Sequence, residues 1–130
     1  MASRIGEQLP LHCCALGKAY LSLLPLDERR AVVDSLPLER RTARTLADRD
    51  ALLDDLETCA RRGFAIDNVE NEEGVRCVGA AIRDERGRPI AALSVSAPAS
   101  RLSLSAARKA GPHCAETAAR VSRELGGAPA

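Results

Sequence analysis

The spacing of the apolar residues changes twice along this chain, and this change limits the folds that it can adopt. Up to Gly63 the apolar positions recur at the three- and four-residue intervals of amphipathic helices. From Phe64 to Ala97 they follow the patterns of strands, and beyond Ser103 the helical period returns. The sequence therefore predicts three helices, three strands and a closing helix. This order indicates an α+β fold with helices packed on an antiparallel sheet.

A hairpin signature lies within the strand region. Two strand-like runs, Val75–Arg83 and Ile90–Ala97, flank the turn sequence Asp84-Glu85-Arg86-Gly87. A third, shorter strand is predicted over Phe64–Asp67. Three strands make a thin sheet, so we expect that the sheet either lacks partners or gains them from another molecule.

A proline, Pro25, separates the first two predicted helices. The first is predicted from about Cys13 to Leu24 and ends before Pro25. Asp27 is the candidate cap of a short second helix. The apolar face of the first helix is expected to contain Leu16, Ala19, Tyr20 and Leu23.

The last two helices carry clearer signals. Asp48 begins a helix whose stop is Gly63, with acidic residues at its start and arginines in its last turn. The closing helix runs from about Ser103 to Leu125, and Pro112 should kink or break it.

Composition excludes several classes of protein. With 130 residues, of which 45% are hydrophobic and 28% charged, the chain is predicted to be one globular domain over residues 1–130. A net charge of +1 and an aromatic content of 2% argue against direct binding of nucleic acid. The apolar runs are too short to span a membrane, and no export signal is visible. We therefore expect a cytoplasmic protein with no membrane partner.

The cysteine count is odd, which indicates reduced thiols rather than a disulfide framework. Zinc is the alternative, but no C-x-x-C pair is present, so we predict neither a metal site nor a cofactor. A thiol nucleophile beside His12 is a further alternative. Adjacent residues rarely aim at one another, so we predict that the chain is not an enzyme. The cysteines are Cys13, Cys14, Cys59, Cys77 and Cys114.

Three features could form a small-molecule pocket. Ser94 and Ser96 point to one face of their strand, and hairpin pairing can place Cys77 on that face. The alternative is that both serines face solvent while Leu93 and Val95 form the core.

The second feature is the segment Pro10–Gly17, where the free amides of a helix start could bind a carboxylate and where Gly17 permits close backbone approach. The third is Asp67, which could accept a hydrogen bond from a ligand hydroxyl. Because Asp67 would repel a ligand carboxylate, the two groups must lie at opposite ends of a bound acid, or one must be protonated.

Four segments of the chain, taken in order, are similar to one known family. They are LPLHCCALGKAYLSLLP, TARTLADRDALLDDLETCARRGFAID, NEEGVRCVGAAIRDERGRPIAALSVSAPASRLS and the closing helix that ends in RELGG. Together they resemble the C-terminal effector-binding domain of the IclR family of bacterial transcriptional regulators. The similarity extends from about Gly6 to Gly127.

The resemblance implies a GAF-like domain that binds a small metabolite, often a carboxylic or aromatic acid, and controls an attached winged helix-turn-helix. It also implies an N-terminally truncated chain, because the family's effector domain begins upstream with a helix and strands. The chain alone would then not bind DNA, which would be contacted through the absent helix-turn-helix domain. A homo-oligomer is expected, since effector binding would act on the placement of subunits.

The resemblance also implies the positions of an effector site. The backbone amides of Ala15 and Leu16 would hold the ligand carboxylate, with the hydroxyls of Ser94 and Ser96 beside them. Asp67 and Cys77 would contact the other end of the ligand. Leu9 and Val75 would form apolar walls. The alternative function is a pocketless dimerisation or scaffold module that uses Leu93 and Val95 as its interface.

Overall fold

The computed structural model describes residues 9–126, so Gly6 and Gly127 lie outside the described residues. The order of elements is the predicted one, and the α+β class is confirmed. The helices are α1 (Ala15–Leu23), α2 (Leu26–Ser35), α3 (Arg49–Arg62) and α4 (Leu104–Glu124). The strands are β1 (Ala65–Asn68), β2 (Val75–Arg83) and β3 (Pro89–Pro98).

The three strands form one antiparallel sheet in the order β1-β2-β3. The long β2–β3 hairpin turns where the sequence predicts, and a register shift lies between Ile82 and Arg83. β1 begins at Ala65 rather than Phe64, because the left-handed Gly63 ends α3 and Phe64 connects the helix to the strand.

Helices cover both faces of the sheet. On one face α4 packs against an apolar cluster of Phe64, Ile66, Val78, Ala80, Ile82, Ala107, Cys114 and Ala118. On the other face α1 lies over the strands, where Ala19 packs with Cys59 and Ala65. A separate cluster joins the first three helices through Leu21, Leu24, Val33, Leu52 and Leu56. The sheet is therefore the middle layer, and its α1 side carries the candidate site.

Local signals at the helix ends act largely as expected. Asp48 caps α3 by accepting from the backbone N–H of Ala51, and Gly63 ends it with φ of 86°. The prediction that Asp27 caps α2 is wrong. Pro25 occupies the cap position, and Asp27 lies in the first turn instead, where its charge complements the helix dipole.

Two expectations about helix interiors also need correction. Pro112 does not break α4, which runs unbroken through it, because a proline removes only one backbone donor and packing holds the flanking turns. The apolar face predicted for α1 is not its most buried face. Of the predicted face only Ala19 is buried, and the buried positions of α1 are Ala15, Gly17, Lys18, Ala19, Leu21 and Ser22.

Candidate functional site

The candidate site is built on rows of residues that run across the sheet on its α1 side. Asp67, Cys77 and Ser96 are directly opposite one another on β1, β2 and β3. One row further, Gly79 lies between Ala65 and Ser94. Because side chains alternate between the faces of a strand, both rows project towards the same side. The sequence prediction that Cys77 shares a face with the two serines is confirmed.

A hydrogen bond and a direct strand pairing join the members of the first row. The Ser96 hydroxyl donates to the Cys77 sulfur over 3.0 Å, and Cys77 lies directly opposite Asp67 on the neighbouring strand. Burial raises the pKa of Cys77 to about 11, and burial also raises the pKa of Asp67 above its usual value. The row therefore offers a protonated thiol and a buried carboxyl group side by side.

The start of α1 lies over the second row. Gly79 has no side chain, and an added Cβ there would lie 3.3 Å from the Cβ of Ala15 and 3.3 Å from the Cβ of Ser94. Ala15 is therefore in close contact with the sheet beside Ser94. The absence of a side chain at Gly79 is what allows this approach.

The first turn of α1 leaves backbone donors available. The cap residue Cys14 accepts from the Gly17 N–H through its sulfur over 3.3 Å, and the Lys18 N–H returns to the Cys14 carbonyl. The amides of Ala15 and Leu16, at the first two helical positions, have no intrahelical acceptor. Gly17 does permit close approach, as expected, but to the chain's own backbone: an added Cβ would lie 2.5 Å from the Leu11 Cα.

The remaining predicted positions lie at the two ends of these rows. Leu9 and Leu16 line an apolar depression of about 210 Å³ with Leu11, Gly17, Tyr20, Ala91 and Ala92. Val75 is half-buried at the other end, opposite Pro98 and on the same face as Cys77. All eight predicted residues therefore lie along one side of the sheet, though not inside one enclosed cavity.

The site is open on the β3 side. Ser94 and Ser96 are exposed and Cys77 is half-buried, so side chains of residues 9–126 do not fill the space above the two serines, whereas Asp67 at the β1 end is buried. The alternative arrangement is only partly found. Leu93 packs against the α4 cluster, but Val95 is 52% exposed and does not enter the core.

Sequence reasoning missed a buried ionic cluster beside this row. Lys18 is fully buried, and its ammonium contacts Asp55 at 2.7 Å and Glu70 at 2.9 Å. The two carboxylates keep the pKa of Lys18 above its usual value despite burial. Charged residues are expected at the surface by default. The one available signal was that Lys18 is spaced with Ala15, Ala19 and Ser22 on the side of α1 rich in small residues.

The cysteines are free thiols, as expected from their odd number. Burial raises the pKa of Cys13 to about 12 and that of Cys59 to about 11, so these thiols are protonated at neutral pH. His12 is buried, and its Nε2 donates to the Glu39 carbonyl over 2.8 Å rather than facing a thiol. Among the residues that the structure describes, no group of three potential ligands could hold a metal ion. None of the helices in residues 9–126 combines the length and the hydropathy that a membrane-spanning segment needs.

Comparison with solved structures defines the class of protein. Thermotoga maritima IclR superposes with a TM-score of 0.91 and 34% sequence identity, over 97% of this chain and 51% of that one. The C-terminal domain of the Escherichia coli transcriptional regulator KdgR gives a TM-score of 0.84 at 33% identity, over 94% of this chain and 74% of that one. Both structures are of transcriptional regulators.

The family model described as "Bacterial transcriptional regulator IclR C-terminal" matches residues 1–123, and the chain belongs to this family. It is thus an effector-binding domain of the IclR type. The HTH-type transcriptional repressor AllR of Salmonella typhi is 37% identical over 126 residues, which are 97% of this chain and 46% of that protein. AllR of Escherichia coli K12 is 36% identical over the same share. The chain spans about half the length of these relatives. They are repressors, which confirms the prediction that the chain is not an enzyme.

Proposed function

We propose that this domain binds a small organic acid and thereby changes how the full-length regulator binds DNA. The observation that carries the proposal is the position of α1. Its first amides lie over Gly79 beside Ser94, one row from the buried carboxyl of Asp67. Donors and an acceptor at opposite ends of one short surface suit an acid that also carries a hydroxyl or oxo group.

In this proposal the ligand carboxylate lies on the N–H groups of Ala15 and Leu16 and on the two serine hydroxyls. Asp67 and Cys77 contact the other end of the ligand, and Leu9 and Val75 contribute apolar walls. The separation between the amides and Asp67 keeps the two carboxylates apart. The ligand would replace solvent over a surface that is now open.

Binding would act through the assembly of the regulator. We propose that the domain works in a homo-oligomer in the cytoplasm, where ligand binding shifts the relative placement of subunits and of their DNA-reading helices. The naming of AllR as an HTH-type repressor supports the part of this proposal that concerns DNA-reading helices. A pocketless dimerisation module remains the second candidate, because Val95 is 52% exposed on the opposite face of the sheet.

A thermal-shift screen with small acids tests the proposal. The 130-residue chain is compared with the double variant Ser94→Ala, Ser96→Ala, using acetate, glycolate, lactate and pyruvate. The matched control is Ser100→Ala, Ser105→Ala, which removes two exposed serines away from the site. We expect at least one acid to raise the Tm of the wild type and the control but not of the site variant. Equal stabilisation of all three proteins, or stabilisation of none by any acid, would contradict the proposal.

A further inference from the structure

Lys18 connects the two ends of the candidate site. It lies on α1, two positions after the Leu16 amide, and none of its surface is exposed. Its Nζ donates to the Ile66 carbonyl over 2.6 Å and to the Glu70 carboxylate over 2.9 and 3.1 Å, and it pairs with Asp55 at 2.7 Å. One ammonium group therefore ties α1 to α3, to β1 and to the turn that follows β1.

Glu70, which is bound by Lys18, is in turn hydrogen-bonded to Asp67. Its backbone N–H donates to Oδ1 of Asp67 over 2.7 Å. Its side chain accepts from the Asn68 N–H over 2.9 Å at the same oxygen that Lys18 contacts at 3.1 Å. The direction in which the Asp67 carboxyl points therefore depends on the conformation of the turn between Asp67 and Glu70.

That turn holds a conformation that its sequence does not favour. Val69 has φ of 58°, the left-handed region that a β-branched residue rarely adopts. Buried threonine hydroxyls fix it from the other side. Thr42 donates to the Val69 carbonyl and Thr45 to the Glu70 carbonyl, each over 2.6 Å. Such a conformation persists only where the surroundings determine it, and it occurs most often at ligand sites and switch regions.

Stability alone is a poor reason for this arrangement. Burying an ammonium group together with carboxylates has a large desolvation cost, and an apolar replacement of similar volume is often as stable. A role in fixing the geometry of a ligand site would explain why this desolvation cost is retained. The two groups fixed relative to each other are the start of α1 and the Asp67 carboxyl.

We propose that Lys18 and Glu70 are positioning residues of the effector site, which set the separation and direction of the Asp67 carboxyl relative to the α1 amides. This inference rests on the proposed function. Since Oδ1 of Asp67 is engaged by Glu70, its other oxygen is the acceptor for a ligand hydroxyl. The positioned carboxyl then discriminates an acid that carries a hydroxyl from one that lacks it.

One variant and a matched control test this role in the 130-residue chain. Lys18→Met removes the connection. Arg29→Met removes another buried cation, which contacts the carbonyls of Leu21, Ser22 and Leu24 and pairs with Glu57 at 3.2 Å. Both changes should lower stability. Only Lys18→Met should alter the position of the Asp67 carboxyl group.

The first readout needs no ligand. Amide hydrogen exchange of Glu70 reports its bond to Asp67, and exchange of the buried Val78 amide on β2 reports global unfolding. We expect Lys18→Met to lower the protection of Glu70 at least tenfold more than that of Val78, and Arg29→Met to lower both equally. Equal losses at the two amides in Lys18→Met would overturn the proposal. If Lys18→Met does not fold, the milder Lys18→Gln is assessed by the same two criteria.

The second readout uses acetate and glycolate, which differ by one hydroxyl. In the wild type, acetate should have the larger dissociation constant. The dissociation constant of acetate divided by that of glycolate should fall at least fivefold in Lys18→Met and stay unchanged in Arg29→Met. An unchanged ratio in Lys18→Met counts against the positioning role. If the wild type binds neither acid, the proposed function loses support, while the exchange experiment still decides whether Lys18 holds the Asp67 turn.

Discussion

The hydroxyl of Ser96 donates a hydrogen bond to the sulfur of Cys77 over 3.0 Å, directly across the β2–β3 pair. The bond joins Ser96 on the exposed strand to Cys77, which lies directly opposite the buried Asp67. Ser94 lies two residues earlier on the same face but opposite Gly79, which offers no side-chain partner. The two serines, similar in sequence, therefore differ in what they contact.

That difference predicts unequal effects on the reactivity of Cys77. The bond from Ser96 lowers the pKa of the thiol, although burial keeps it at about 11. Ser96→Ala should raise this pKa and slow alkylation of Cys77 at pH 9, followed peptide by peptide with mass spectrometry. Ser94→Ala is the control and should leave the rate unchanged. Equal rates in the wild type and Ser96→Ala would show that the bond is not formed in solution.

Gly79→Ala should push α1 away from the sheet. The new Cβ would lie 2.9 Å from the Leu93 carbonyl oxygen and 3.3 Å from the Cβ of Ala15. The contact with the carbonyl is too short to be relieved by a side-chain rotation. We expect a loss of about 1–3 kcal/mol in the free energy of unfolding, measured with urea. A variant as stable as the wild type would contradict the close packing of β3 and α1 around Gly79.

The caps and the hairpin show what the sequence could predict. Asp48, Gly63 and the turn at Asp84–Gly87 act on their immediate neighbours, so their signals are legible in a short window of residues. The burial of Lys18 could not be predicted in this way. Its partner Glu70 is 52 residues away, and only the folded chain brings the two together.

The candidate site likewise has a part that the sequence predicts and a part that it does not. Strand alternation suffices to put Ser94, Ser96 and Cys77 on one face. It does not reveal which helix covers that face, because this depends on close contacts at glycines. Gly111 is a similar case within α4, where an added Cβ would collide with the ring of Phe64. Neither contact has a local sequence signal.

The ionisation of Asp67 predicts a pH-dependent effect of Asp67→Asn. Burial raises the pKa of Asp67 in the folded state above its unfolded value of 3.8, so the folded state binds this proton more tightly. The contribution of Asp67 to stability is therefore fully present below pH 3.8 and is lost as pH rises through the folded pKa.

Asp67→Asn removes this dependence and still offers an oxygen to the Glu70 N–H. The stability of Asp67→Asn minus that of the wild type should thus be higher at pH 7 than at pH 3.5. Urea unfolding of both proteins at the two pH values measures this difference. The exposed Asp54→Asn serves as the control. A difference between variant and wild type that moves in the opposite direction with pH would contradict the buried setting of Asp67.

The left-handed conformation of Val69 predicts an inverted order of substitutions. At ordinary positions alanine is more stable than glycine by roughly 0.5–1 kcal/mol. At Val69 the left-handed region costs a residue with a Cβ roughly 1–2 kcal/mol. Val69→Gly should therefore be more stable than Val69→Ala by about 1 kcal/mol, as measured by urea unfolding.

The same pair of substitutions at Val95 provides the comparison. Val95 lies in β3, and its φ is not positive. Alanine should therefore be the more stable of the two there. The same order at both positions would show that the turn after β1 is not held in the left-handed conformation.

The central claim is that the first amides of α1 bind a carboxylate beside Ser94. Titration of the ¹⁵N-labelled chain with glycolate, followed by amide chemical shifts, tests it most directly. The account predicts large, saturable shifts at Ala15 and Leu16 together with smaller shifts at Ser94 and Ser96, and no comparable change at exposed amides of α2. Saturable binding that leaves the Ala15 and Leu16 amides unmoved, or no saturable shift with glycolate, lactate or pyruvate, would contradict it.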